Sequence, residues 1–492
     1  MASGSREVEA RDCPPPMLFP TIRFAIFFMV VLPTSWLLIR QRLRWQLFIL
    51  AASYFFYGYY DWRFAFLLAG STVANWIVGR QIYRSEHDLA RRLWLLLGVV
   101  VNLGALGYFK YAGFFVSQAT NLLHNVGLGV SPTILSVALP IGISFFTFQA
   151  LSYIIDIYRG TFDPRDFLEF AVYLSFFPHV VSGPIVRAAE FLPQLRERHD
   201  ARRVDASRAF FLIFLGLFKK VVIANFLGTQ IVDIVFANPK QHTSLEVLVS
   251  VYAYAIQIYA DFSGYTDMAI GLALLLGFRF PQNFDAPYTA VSLQDFWRRW
   301  HMTLSRWLRD YLYIPLGGNR KGRWRTYRNL MITFVLGGLW HGAAWTFVVW
   351  GAIHGGFLSI EHWRRTAHGK HAHAPDDTWR RRLIQRVVTF HIVCLAWVFF
   401  RADSFTNAAD VLRRIVDPSH WFVVAPLITG GVLLAIAAGL AEQYIPRDAL
   451  ARAMAGFSRL SPVAQGVILG FVLLITNTMG PRGVAPFIYF RF

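Results

Sequence analysis

The sequence predicts an all-α polytopic membrane protein, and three observations carry that prediction. The first is composition. Of 492 residues, 55% are hydrophobic and 16% charged, with mean hydropathy +0.41, whereas a soluble domain carries about 25% charged residues. The second is run length: apolar runs of roughly 20 residues fit spanning helices, while barrel strands need only about ten in alternation. The third is the distribution of Lys and Arg, which gather in some gaps between runs and avoid others.

Taken in order, the apolar runs fall near 20–39, 44–60, 62–79, 93–109, 133–157, 167–184, 207–228, 245–260, 262–278, 329–361 (long enough for two helices), 386–400, 423–441 and 463–478. They predict about 11–13 transmembrane helices plus re-entrant and interfacial segments. The opening "MASGSREVEARDCPPP" lacks a basic-then-apolar signal pattern, so 1–19 reads as a tail and the first span as an uncleaved insert. Residues 20–400 read as one transmembrane core and 401–492 as C-terminal transmembrane helices. Arg40, Arg42 and Arg44 follow the first run, and Arg80, Arg84, Arg91 and Arg92 follow the third. Tyr111 to Tyr158 contains no Lys or Arg, whereas 187–208, 298–328 and 364–386 are strongly basic. Basic gaps in the cytoplasm put the N-terminus and 111–132 outside.

The formal net charge of +19 fits basic loops facing anionic lipid better than nucleic-acid binding. Two cysteines, Cys13 and Cys394, predict neither a disulfide framework nor a zinc site. Two segments depart from the simple pattern. In 211–228, Lys219 and Lys220 stand mid-run, either snorkelling from a span end or separating two short pieces. In 176–187, Pro178, Gly183 and Pro184 are poor for a straight helix and suit a re-entrant hairpin packed inside protein. The tract 366–382 is a polar linker whose His368, His371 and His373 read as part of a solvated loop rather than a metal site.

Three stretches carry candidate chemistry. "FVLGGLWHGAAWTFVVWGAIHGG" (334–356) holds His341 in an apolar setting, where polar groups are expensive and suggest function. The plainer alternative is a histidine satisfied by neighbouring helices. Gly337, Gly338 and Gly342 thin the backbone for a helix or an acyl chain, and Trp340 and Trp345 are candidate pocket walls. In one continuous helix His354 would lie about 20 Å from His341, so it reads as structural unless the chain turns back. In "LQDFWRRWHMTLSRWLRDYLYIPLGGNRKG" (293–322), Trp297, Trp300, Leu304, Trp307, Leu308 and Tyr311 share one helical face. Arg298, His301, Ser305 and Arg309 share another, predicting an amphipathic helix at the membrane interface. In "QIYADFSGYTDMAIGLALLLGFRFPQNFDAPY" (257–288), Asp261, Ser263, Tyr265 and Asp267 lie between two runs. There Asp261 and Ser263 fit a cap, and Gly264 a helix break. The sequence has no nucleotide loop, HExxH, GxSxG or paired-Cys motif, which leaves histidine chemistry without a metal as the simplest reading.

Read together, these blocks resemble the membrane-bound O-acyltransferase (MBOAT) family, closest to its bacterial branch that O-acetylates exopolysaccharides such as alginate. The carrying stretches are "LPIGISFFTFQALSYIIDIYRG" (139–160), "FFPHVVSGPIVRAAEFLPQL" (176–195), "DFSGYTDMAIGLALLLGFRFPQNFDAPY" (261–288), "DFWRRWHMTLSRWLRDYLYIPLGGNRKG" (295–322) and "GLWHGAAWTFVVWGAIHG" (338–355). The resemblance implies a ring of tilted helices around a thinned centre, with a cytoplasmic tunnel for the acyl donor and an outer funnel for the acceptor. It implies that His341 is catalytic and that His301 is a second functional histidine. Trp340, Ser305, Arg309 and Asp261 become candidate substrate-binding residues. No bound cofactor is expected, and the donor is acetyl-CoA or an acyl carrier thioester. The expected setting is the bacterial inner membrane, with a periplasmic partner protein and a polysaccharide acceptor. Relatives acting on cellulose, peptidoglycan or teichoic acid keep the acceptor open. A transporter is the rival class, against which stands the lack of an internal repeat or of matched broken segments.

Overall fold

The computed structural model describes residues 17–127, 138–367 and 378–479. The histidines at 368, 371 and 373 and Cys13 lie outside the described residues. Among those described, every regular element is a helix. Helices satisfy their own backbone in lipid, so this is the expected solution for a chain this apolar. Among the described residues, four helices are long and apolar enough to cross a membrane: Asp88–Asn125, Ala206–Ala237, Ser244–Leu275 and Trp379–Arg401. The prediction of an all-α polytopic membrane protein holds. By backbone contacts the chain divides into two compact units, residues 1–209 with 269–281, and residues 210–268 with 282–492.

In the first unit, the helices Trp62–Arg84, Asp88–Leu106 and Ile143–Tyr158 pack on one another. Asn75 and Asn102 bridge the first two with reciprocal amide bonds of 3.1 and 2.6 Å. Such bonds are a common glue between helices in lipid, where water cannot substitute. The segment 176–187 is broken, as its prolines require. The helix Phe167–Ser175 stops, one turn follows at Phe177–Val180, and irregular chain continues to Arg187. Residues 176–186 are all buried, so the freed backbone needs internal partners. The Tyr173 hydroxyl donates to the carbonyl of Val186 at 2.9 Å, and His179 Nε2 donates to that of Tyr173 at 2.8 Å. Gly142, at φ +80°, rests on this break. A Cβ there would stand 2.3 Å from the Val180 oxygen.

Three expectations fail in the second unit. The helix Ser244–Leu275 runs unbroken through Gly264. That glycine is a crossing point: a Cβ on it would lie 2.7 Å from the Gly216 oxygen. Asp261 and Ser263 are therefore mid-helix and cap nothing. Lys219 and Lys220 do not snorkel, because both are buried at the start of a π-turn, Lys219–Ala224. Lys219 Nζ lies 2.8 Å from Asp267 and 2.7 Å from Glu442, and Lys220 pairs with Asp261. Carboxylates within reach make burial tolerable where an isolated ammonium would be prohibitive.

The run 329–361 makes two antiparallel helices, Arg323–His341 and Trp345–Ala367. Glycines set their separation. A Cβ on Gly338 would meet the Phe347 oxygen at 2.1 Å, and one on Gly351 the Phe334 oxygen at 2.2 Å. Gly338 and Gly351 therefore admit the close approach of the two helices, while Gly337 faces Leu308.

Candidate active site

His301 sits at a chain break where a helix was expected. The amphipathic helix predicted over 293–322 divides into Leu293–Arg299, Met302–Leu308 and a π-turn, Arg309–Tyr313. His301 joins the first two in the left-handed region, at φ +41° and ψ +54°, a conformation uncommon outside glycine. Asn283 holds the break open. Its carbonyl accepts from the Met302 N–H at 2.9 Å, and its Oδ1 accepts from the Thr303 N–H at 3.1 Å and the Thr303 hydroxyl at 2.9 Å. Oδ1 also lies 3.2 Å from His301 Nδ1. These bonds replace the intrahelical ones that periodicity alone would favour. Trp300, Leu304 and His301 are almost fully buried, so this side of the segment faces protein rather than a membrane interface.

His341 is the last residue of its helix and is buried. Its ring lies 4.9 Å from Trp340, 5.1 Å from Trp350 and 5.2 Å from Phe400. Trp340 is also 6.1 Å from the His301 ring. Two histidines 40 residues apart in sequence thus meet around one tryptophan. The turn at 342–344 also brings His354 back, 4.8 Å from Trp350.

His341 contributes to the wall of a cavity of about 1330 Å³. The cavity follows the helix hairpin from its basic end toward His341. Arg323 and His341 are 18 residues apart, about 27 Å along a helix. Thr333, Phe334, Gly337 and Trp350 form an apolar middle. Arg298, Arg306 and Arg309 line it from the broken segment, Arg320, Lys321 and Arg323 from the loop and helix start, and Arg365 from the returning helix. No Asp or Glu is among the described lining residues. Such a cavity favours an elongated anionic ligand.

The remaining candidates separate. Ser305 and Arg309 line the cavity, Ser305 half-buried and Arg309 exposed. Trp340 contacts both histidine rings. Asp261 is engaged by Lys220 and does not line the cavity. Trp345, expected as a pocket wall, is 51% exposed and lies off it. Sequence reading missed Asn283, Trp350 and Arg306. The quoted "FPQNFDAPY" contains Asn283, but a loop asparagine carries no periodic signal of its role.

A helical membrane protein with paired buried histidines beside a basic cavity is suited to group transfer from an anionic carrier. Residues 158–402, which include both histidines and every cavity-lining residue, match the family described as MBOAT, membrane-bound O-acyltransferase family. The chain is 38% identical to a protein of Pseudomonas putida described as probable alginate O-acetylase AlgI, over 97% of this chain and all of that protein. It is 37% identical to the peptidoglycan O-acetyltransferase of Helicobacter pylori, over 75% of this chain and 73% of that one. The teichoic acid D-alanyltransferase of Bacillus subtilis is 28% identical over 54% of this chain and 69% of that protein. The chain belongs to the MBOAT family and is a membrane O-acyltransferase.

Proposed function

We propose that this protein moves an acetyl group from a cytosolic thioester to the outer side of the bacterial inner membrane, for O-acetylation of a polysaccharide such as alginate. The observation that carries the reading is His341 on the wall of a cavity whose described lining includes seven Arg and Lys side chains and no Asp or Glu. A phosphorylated thioester, either acetyl-CoA or an acyl carrier's pantetheine arm, matches that charge and length. The positive-inside rule puts the basic end in the cytoplasm, where such donors are made.

In this reading His341 is the base. A hydroxyl is too weakly acidic to ionise near neutral pH, and a neutral imidazole can take its proton as the C–O bond forms. The hydroxyl oxygen attacks the thioester carbonyl, the C–S bond breaks, and the imidazolium returns the proton to the departing thiolate. His301 assists, Trp340 contacts both rings, and Arg309 and Ser305 hold the donor along the cavity. The receiving hydroxyl belongs to the polymer, or to a periplasmic partner that passes the acetyl on. Alginate is favoured by the description of the P. putida relative, matched over its whole length. Peptidoglycan, cellulose and teichoic acid are the alternatives within the same chemistry.

His341→Ala and His341→Gln test the reading. Both should lower acetyl-CoA turnover in nanodiscs, and base-labile acetyl on extracellular polymer, by about 10²–10⁴-fold. Donor binding should persist, because a base acts mainly on the transition state. A folded His341→Gln protein that turns over normally would overturn the assignment.

A further inference from the structure

We infer that Asn283 is a positioning residue that fixes the proton of His301 on Nδ1, presenting Nε2 as a buried lone pair to the reacting groups. The inference rests on the proposed role of His301.

The proton can be placed because one donor is unambiguous. A backbone N–H can only donate, and that of Thr303 points at Asn283 Oδ1 from 3.1 Å. That atom is therefore the amide oxygen. The amide's other end agrees, with Nδ2 lying 3.4 Å from Thr266 Oγ1. An oxygen acceptor 3.2 Å from His301 Nδ1 requires that nitrogen to carry the hydrogen. In a neutral imidazole the lone pair is then on Nε2. His301 is fully buried, and its Nε2 has no hydrogen-bond partner among the described residues.

Two further features hold the ring in place. Phe262 meets it edge-on at 4.6 Å, and the left-handed backbone at His301 is pinned by the bonds from Met302 and Thr303 to Asn283. One asparagine therefore sets the backbone, ring orientation and tautomer of His301. A buried acceptor held without a partner is uncommon, because such groups are normally satisfied. Trp340 contacts both imidazoles, 6.1 Å from the His301 ring and 4.9 Å from that of His341, which brings the two histidines to one tryptophan. The acyl-accepting hydroxyl's single proton is accepted by His301 Nε2 as the hydroxyl arrives and passes to His341 as the C–O bond forms, with no net change at His301.

Variants at 283 separate tautomer control from packing. Asn283→Asp keeps an acceptor oxygen for His301 Nδ1–H and for Thr303, while Asn283→Ala removes it. With acetyl-CoA as donor and protein in nanodiscs, Asn283→Ala should lower kcat by at least about tenfold, since a misplaced histidine proton is costly to catalysis. KM for acetyl-CoA should stay within about twofold, because Asn283 is not on the donor cavity. Asn283→Asp should restore most of kcat. ¹⁵N spectra of labelled histidine should show a protonated Nδ1 and bare Nε2 at His301 in the parent and in Asn283→Asp. His301→Asn, suited to the left-handed backbone, tests the underlying role separately. If His301→Asn is fully active, the role given to His301 fails. If His301→Asn is inactive while folded Asn283→Ala turns over normally, the inference fails alone. If Asn283→Ala does not accumulate, a His301 protonated on Nε2 in the parent spectrum overturns it.

Discussion

Three buried histidines lie within a few side chains of one another, and two of them are held by opposite hydrogen bonds. His301 gives its Nδ1 proton to Asn283. His354 does the reverse, because the indole of Trp297, which can only donate, points at His354 Nδ1 from 3.3 Å. His354 is enclosed by Phe296, Trp297 and Trp350 and does not line the cavity. His354→Ala should therefore cost about 1–3 kcal/mol of stability by stranding the indole N–H. Turnover per folded molecule should stay within about fivefold, since no transition-state contact is lost. Thermal denaturation alongside acetyl-CoA turnover checks this, and lost turnover at unchanged stability would give His354 a chemical part. His341 was legible in the sequence because an imidazole in an apolar run stands out. His301 stood out because it borders the tryptophan face. Asn283 was not, since its role depends on a segment 18 residues later folding back onto it.

Among elements, glycine is where sequence and structure diverge most. Gly264 and Gly338 carry the same local signal as a helix break, yet both lie within helices at crossings. Only the partner decides between break and crossing, and the partner is distant in sequence. Gly338→Ala should prevent the hairpin from closing, because its Cβ would stand 2.1 Å from a backbone oxygen. Gly337→Ala meets only a leucine methyl at 3.3 Å and should be tolerated. Membrane accumulation of the two variants, measured side by side, tests the contrast. Periodicity misled in the opposite way over 293–322, since the aromatic spacing continues across a break that Asn283 imposes. The buried ion pairs were hidden for the same reason: Lys220 and Asp261 are 41 positions apart. Lys220→Met should cost about 3–5 kcal/mol by leaving a buried carboxylate uncompensated, and adding Asp261→Leu should recover much of it. Denaturation of the single and double variants measures the difference, and equal stabilities would mean the pair is not coupled.

For the molecule as a whole, composition was the most legible feature. The helices expose large apolar side chains such as Leu37 and Leu434, at 79% and 71%, which suits a lipid solvent. Orientation follows from the basic gaps. With the native cysteines replaced, a cysteine at 120 should label from outside and one at 370 from inside. Labelling of both from the same side would reverse that assignment.

The basic cavity has a consequence for ionic conditions. Seven positive side chains line the cavity, of which Arg309 is paired with Asp310, and no Asp or Glu is among the described lining residues, so the wall should draw chloride and phosphate from the surrounding solution. Any polyanionic ligand then enters by ion exchange, releasing smaller anions as it docks. Its apparent affinity should weaken as salt rises, while the chemical step, proposed to fall at the buried His341, should respond far less. Membranes assayed in dilute buffer would make the donor look tightly held, and the same membranes at cellular salt would show a donor that exchanges freely.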